Sequence, residues 1–255
     1  MTATVESSRW LREWAPSGDA EHLAVCLHEA GAGAAQFRQL QVALGEGFQV
    51  VAVQMPGRQE RWREPLVRRM DDVLAELIPV LLKRLDRPYV VLGQSMGALL
   101  GYELIRVLGH HHQRWPLAFF PCACPPPQLI TTEFTRQATD QSEIRNALLA
   151  AADGAEVDDT AAELLLKPLR ADAELVRQYR HVPGPPLTCS VYPWCGTQDP
   201  QVALQQLAGW RDHTSGDFCA EEFPGGHIFL PQCLDLVAQG IRRAVGSRGG
   251  DGSNG

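Results

Sequence analysis

The sequence predicts an α/β fold, a mostly parallel central sheet flanked by helices. Three observations predict it: short apolar runs bounded by turn residues, helical stripes of apolar residues between them, and the alternation of the two along most of the chain. The first strand is expected at 23–27 (LAVCL) and the second at 50–53 (VVAV). Residues 71–85 follow with apolar side chains at 73, 74, 77, 78, 81, 82 and 85, the period of an amphipathic helix. A strand at 89–92 (YVVL) leads into a second helical run at 96–108. A weaker apolar run at 117–122 is a fifth strand candidate, 187–194 (LTCSVYPW) is a stronger one, and 218–223 carries charge suited to a sheet edge. A helix at 235–245 closes the pattern, and right-handed crossovers should connect the parallel strands.

One stretch breaks the rhythm. Residues 125–186 open on three prolines and close on Pro183-Gly184-Pro185-Pro186, with helical segments at 143–152, 161–169 and 173–179 and no convincing strand. This reads as a helical insertion over the sheet, serving either as a lid or as a structural cap. Residues 1–245 then form one domain, and 246–255 (GSRGGDGSNG) a flexible tail.

Composition narrows the function classes. The 255 residues are 45% hydrophobic and 21% charged, as in a soluble globular chain. With 23 basic against 30 acidic residues, the net charge of -7 argues against nucleic acid as the main ligand. No apolar run reaches membrane-spanning length, and the first residues show no secretory signal. Seven cysteines, an odd number without a C-x-x-C pair, read as buried free thiols of a cytoplasmic protein.

The sharpest motif is Gly93-Gln94-Ser95-Met96-Gly97, a G-x-S-x-G directly after an expected strand and directly before an expected helix. That context is the nucleophile elbow, where serine sits on a strained turn and small neighbours prevent a clash. A serine hydroxyl needs a base oriented by an acid, and in α/β-hydrolases these follow in the order serine, acid, histidine. His227, in a loop after the last strand candidate, is the expected base, and Asp199, where an earlier strand runs into a turn, the expected acid. His110, His111 and His112 read as solvated surface, while His181 falls in the insertion and His213 in a polar segment. The oxyanion donors are expected to be the backbone amides of Met96, after the nucleophile, and Ala30, in the small-residue loop after the first strand.

Two rival motifs fail. Gly31-x-Gly33 lacks the third glycine of a dinucleotide loop, with Gln36 in its place, and the next strand ends in Gln54 rather than an acid. His28-Glu29 would need a second histidine where Ala32 stands to bind zinc. Neither a cofactor nor a metal is expected.

These residues resemble the stand-alone (type II) thioesterases that accompany polyketide and nonribosomal peptide synthases. The resemblance spans nearly the whole chain except the tail. It rests on the loop 26–33, Gln54-Met55-Pro56-Gly57-Arg58, the serine motif, Leu169-Arg170-Ala171-Asp172, 179–186, 196–200 and 223–230 (FPGGHIFL). It implies an α/β-hydrolase fold with a helical lid insertion, and hydrolysis of acyl groups from the phosphopantetheine arm of acyl or peptidyl carrier proteins. It places Ser95, Asp199 and His227 on the family's triad and Ala30 and Met96 on its oxyanion donors. The chain departs from the family pattern at Glu29, where a histidine is usual, and at Cys122-Ala123-Cys124, where Ser-Gly-Arg is frequent. No membrane partner is expected, and the expected state is a monomer. Five arginines at 58, 61, 63, 68 and 69 stand against Glu60 and Glu64, a local +3 that is either a docking patch for an acidic carrier protein or a solvated basic segment. A small-molecule carboxylesterase with the same triad, or a non-catalytic binding module on this fold, are the alternatives.

Overall fold

Alternate residues of a strand face opposite sides, so a strand that is apolar throughout must be covered on both faces. The computed structural model, which describes residues 8–14, 18–130 and 159–246, is built on this rule. Its strands are β1 (Leu11–Arg12), β2 (His22–Leu27), β3 (Phe48–Val53), β4 (Tyr89–Gln94), β5 (Ala118–Cys122), β6 (Ser190–Val191), β7 (Trp194–Gly196) and β8 (Glu221–Phe223). The order across the sheet is β1-β3-β2-β4-β5-β7-β8, with β6 also paired to β5. All pairings are parallel except β1 against β3, where Leu11 faces Val53.

The two faces separate cleanly. Leu23, Val25, Leu27, Val51, Val53 and Val91 pack into one core, while Ala24, Cys26, Val50, Ala52, Val90 and Leu92 pack into the other. The helices are α1 (Arg38–Leu44), α2 (Met70–Arg84), α3 (Met96–His112), α4 (Asp159–Gln178), α5 (Leu204–Leu207) and α6 (Leu234–Gly246). Helix α2 contributes Val73, Leu74, Leu77, Ile78 and Leu81 to the first core. Asp71 and Asp72 in its first turn, and Lys83 and Arg84 in its last, complement the helix dipole. Helix α6 lays Val237, Ala238, Ile241 and Ala244 on the opposite face.

Several expected elements shift. The run 187–194 is not one strand but β6 and β7, interrupted at Tyr192-Pro193, because proline has no N–H for the ladder. The segments expected at 161–169 and 173–179 are one helix, α4, which continues through Leu169-Arg170-Ala171-Asp172 with Ala171 and Asp172 fully buried. Helix α3 runs on through the histidines at 110–112. The weak run at 117–122 is the inner strand β5, paired on both sides, and β8 lies at the sheet edge as its charge suggests. Residues 131–158 of the predicted insertion, including the helix expected at 143–152, lie outside the described residues, as does the tail from 247 onward. No helix among the described residues is long and apolar enough to cross a membrane.

Candidate active site

Ser95 stands between the end of β4 and the start of α3, with φ 52° and ψ -114°. A positive φ is costly for a non-glycine residue and is held only where the surroundings over-determine it. Here the Ser95 N–H donates to the Cys122 carbonyl at 2.8 Å, and the Ser95 carbonyl accepts from Ala98 N at 2.9 Å. A side chain at Gly93 would overlap the Gly97 carbonyl, and one at Gly97 would overlap the Leu27 carbonyl. The glycines of the motif are therefore steric requirements of a turn packed against β2.

Asp199 follows β7 in a turn closed by Asp199 N donating to Gly196 O at 3.1 Å. Its side chain is fully buried, and Oδ1 accepts from the backbone amides of Gln201 at 2.8 Å and Val202 at 3.2 Å. His227 lies in the loop after β8. The two loops are laced backbone to backbone: Thr197 N donates to Phe223 O and Gln198 N to Gly225 O, each at 2.9 Å.

The structure brings the three expected residues into one hydrogen-bonded line. His227 Nδ1 is 2.9 Å from Asp199 Oδ2 and 3.1 Å from Oδ1, and Nε2 is 3.0 Å from Ser95 Oγ. A carboxylate only accepts, so Nδ1 carries the proton and Nε2 presents its lone pair to the serine hydroxyl. Chemically, the arrangement can take a proton from Ser95 and return it to a leaving group. Ala30 and Met96, the expected oxyanion donors, sit in the loop after β2 and at the first position of α3. The Ala30 amide has no acceptor among the described residues, and a first-turn helical amide such as that of Met96 has none within its helix.

The sequence reading missed other residues at this site. Gln94, fully buried, donates from Nε2 to the His227 carbonyl at 2.6 Å. Its place beside the nucleophile in the motif was the available signal. His28 is buried, and burial first, then the charge of Arg58, lowers its pKa to about 4. Burial raises the Glu29 carboxyl above its ordinary value, opposed by its own backbone N–H, by Gln36 and by the charge of His227, and Oε2 is buried without a partner among the described residues. His213, expected in a polar segment, is a core residue bonded to Tyr102 Oη at 2.9 Å and to Gln128.

The arginine patch expected at 58–69 is corrected. Arg58 and Arg61 are buried, because their guanidiniums satisfy carbonyls and carboxylates inside the fold: Arg58 pairs with Asp172, and Arg61 binds Gln54 O at 2.7 Å and Glu64. Arg68 pairs with Glu174 and Arg69 with Asp71. Arg63 stacks over the exposed Trp62. Arg58 and Arg61 are thus spent on internal pairing, while Arg63, Arg68 and Arg69 stay at the surface. All seven cysteines are free thiols, six of them buried and Cys219 exposed. No group of three or more His, Cys, Asp or Glu among the described residues is placed to hold a metal.

Residues 24–244 match the thioesterase-domain family. Thioesterase PikA5 of Streptomyces venezuelae is 31% identical over 236 residues, 89% of this chain and 82% of that protein. A probable cadicidin biosynthesis thioesterase of Streptomyces griseus is 34% identical, over 96% of this chain and 68% of that one. Among solved structures, the type II thioesterase BorB from the borrelidin biosynthetic cluster superimposes with a TM-score of 0.83 at 30% identity, covering 96% of this chain and 99% of BorB.

Proposed function

The chain belongs to the thioesterase family, and from that premise we propose that it is a serine thioesterase acting on acyl chains held by the phosphopantetheine arm of acyl or peptidyl carrier proteins. The observation that carries this reading is the unbroken line Asp199–His227–Ser95, with two spacings of 2.9 and 3.0 Å. His227 Nε2 removes the Ser95 proton as Oγ attacks the thioester carbonyl. The amides of Ala30 and Met96 hold the charge that develops on the carbonyl oxygen. The tetrahedral intermediate collapses, the carbon–sulfur bond breaks, and the departing thiolate takes the proton from His227. Water then attacks the acyl-serine with His227 as base, releasing the free acid and restoring Ser95. Asp199 keeps the imidazole in the required tautomer and stabilises its charged form.

A pathway role follows from the relatives. PikA5, the cadicidin protein and BorB are named as thioesterases, two of them by the biosynthetic system they serve. We assign this chain to editing or releasing acyl chains in polyketide or nonribosomal peptide synthesis, as a cytoplasmic monomer of one domain.

The test presents the purified protein with a carrier protein loaded with an acyl group and, separately, with the matching simple oxygen ester. Mass spectrometry of the carrier should show the acyl group lost, and the loss should vanish in Ser95→Ala. Cleavage of the oxygen ester alone would identify a carboxylesterase, and cleavage of neither a binding module.

A further inference from the structure

Asp172 is wholly buried, and a buried carboxylate must be met by donors to be tolerated. Three donors meet it: the Gly31 N–H at 2.8 Å, Arg58 Nη1 at 2.6 Å and Arg58 Nη2 at 2.9 Å. Arg58, itself buried, also donates to Ala32 O at 3.2 Å. One turn before Asp172 on α4, the Leu169 side chain packs against Gly31, which has φ +81°. Gln54 completes the clamp, accepting from Ala34 N at 2.7 Å and donating to Arg58 O at 3.1 Å. The loop is thus held at Gly31 N, Ala32 O and Ala34 N, while the Ala30 N–H, one residue upstream, has no acceptor among the described residues.

This is more than a stabilising contact. A buried ion pair is often no more stable than apolar residues of the same size, so its presence is better explained by the geometry it imposes. The two partners lie 114 residues apart, and both bond the one loop that carries a proposed oxyanion donor. The Gly31 N–H turned onto Asp172 ties the Ala30–Gly31 peptide to α4, and the Ala30 N–H, in the preceding Glu29–Ala30 peptide, is joined to that fixed plane through the single Ala30 Cα. We propose that Asp172, with Arg58, is a positioning residue that fixes the loop 30–34 so that the Ala30 amide meets the oxyanion. Helix α4 is thereby coupled to the catalytic centre, and its seating sets how well that centre stabilises charge. The inference rests on the oxyanion role given to Ala30 above.

The test uses the full chain and an acyl thioester of N-acetylcysteamine, the thiol end of the pantetheine arm. Asp172→Asn and Arg58→Lys should each lower kcat by about 10- to 100-fold with KM changed less than about twofold, as misplacing a catalytic group by a fraction of an ångström does. The affinity of a boronic acid that forms a tetrahedral adduct should fall by the same factor as kcat. The double variant Arg58→Met/Asp172→Leu removes both buried charges at once, so it should fold and yet keep the kcat defect. A double variant that melts like the wild type and turns over like it would overturn the proposal. So would single variants whose loss falls on KM or on thermal stability alone. Should Asp172→Asn not fold, Arg58→Lys, which keeps the charge and loses the two-pronged geometry, carries the same reading. A wild type that leaves the thioester intact would instead remove the oxyanion assignment, and this inference with it.

Discussion

Gln94 reaches from the end of β4 to the backbone of His227, donating to its carbonyl at 2.6 Å. The residue before Ser95 thus holds the loop that carries His227, so the proposed nucleophile and the proposed base share a brace that touches neither side chain. Gln94→Glu keeps the size but replaces the donor with an oxygen facing a carbonyl. Gln94 Oε1 has no partner among the described residues, so Gln94→Leu loses only the single bond. The expected outcome is a larger loss for Gln94→Glu than for Gln94→Leu, about tenfold or more in kcat, from about 1–3 kcal/mol of unmet polar burial. Steady-state kinetics of the two variants side by side checks this.

Gly196, at the end of β7, lies against the loop of His227 so closely that a side chain would overlap the carbonyls of Gly225 and Gly226. Both obstacles are backbone and cannot rotate aside. Gly196→Ala should cost at least about 1–3 kcal/mol of stability. It should also lower kcat by parting Asp199 from His227, since the loop must move as a unit. Denaturant unfolding and kinetics of the same preparation measure both.

Two buried histidines set an acid limit on stability. Burial, and then the charge of Arg58, lowers His28 to about 4, while Asp172 and the Glu29 carbonyl oppose this. Burial, and then His181, lowers His213 to about 4 as well. Each is neutral in the fold below the pH at which it would protonate in the unfolded chain, so the unfolded state binds more protons between about pH 6.5 and 4. Stability is complete above that window and falls as the pH drops through it, by up to about 1.4 kcal/mol per pH unit for each histidine. The buried Glu29 works in the opposite sense, since its raised pKa favours the fold at lower pH. Two imidazoles outweigh one carboxyl, so melting temperatures should fall from pH 7 to pH 4.5. Substituting His213→Gln should flatten part of that slope.

The arginines at 58–69 should divide by burial. Arg61, stacked 4.7 Å over the Trp10 ring and bonded to Gln54 O, belongs to the fold. Arg61→Ala should lower stability by about 1–3 kcal/mol. Arg63→Ala, at an exposed stack, should leave stability within about 0.5 kcal/mol of the wild type. Chemical denaturation separates the two.

Much of the fold and site is legible in the chain because the signals are local. Residues 50–53 and 89–92 are apolar on both faces, and only a covered sheet accommodates that. The serine motif carries its own confirmation in the strand before it and the helix after it, and the order of Asp199 and His227 follows from the sheet. What stays hidden is set by tertiary partners. Leu11-Arg12 makes a strand only because β3 offers an edge, and two residues give no period. Arg58 and Arg61 read as part of a docking patch or a solvated basic segment, and Asp172 only as part of a family landmark, since nothing near them in sequence shows that their partners are buried. Asp172 lies where two helical segments were expected to part, and it is its burial against Arg58 and Gly31 that explains a charged residue there.

The proposed mechanism requires Ser95 to be acylated by the thioester. Rapid-quench mixing with an excess of acyl-loaded carrier protein, followed by proteolysis and mass spectrometry, tests it directly. An acyl group on the peptide containing Ser95, formed as the carrier loses it and absent from Ser95→Ala and from a trace of His227→Gln at the same time point, is the result expected. Turnover of the carrier thioester with the label on Cys219, or turnover that persists undiminished in Ser95→Ala, would contradict acylation of Ser95.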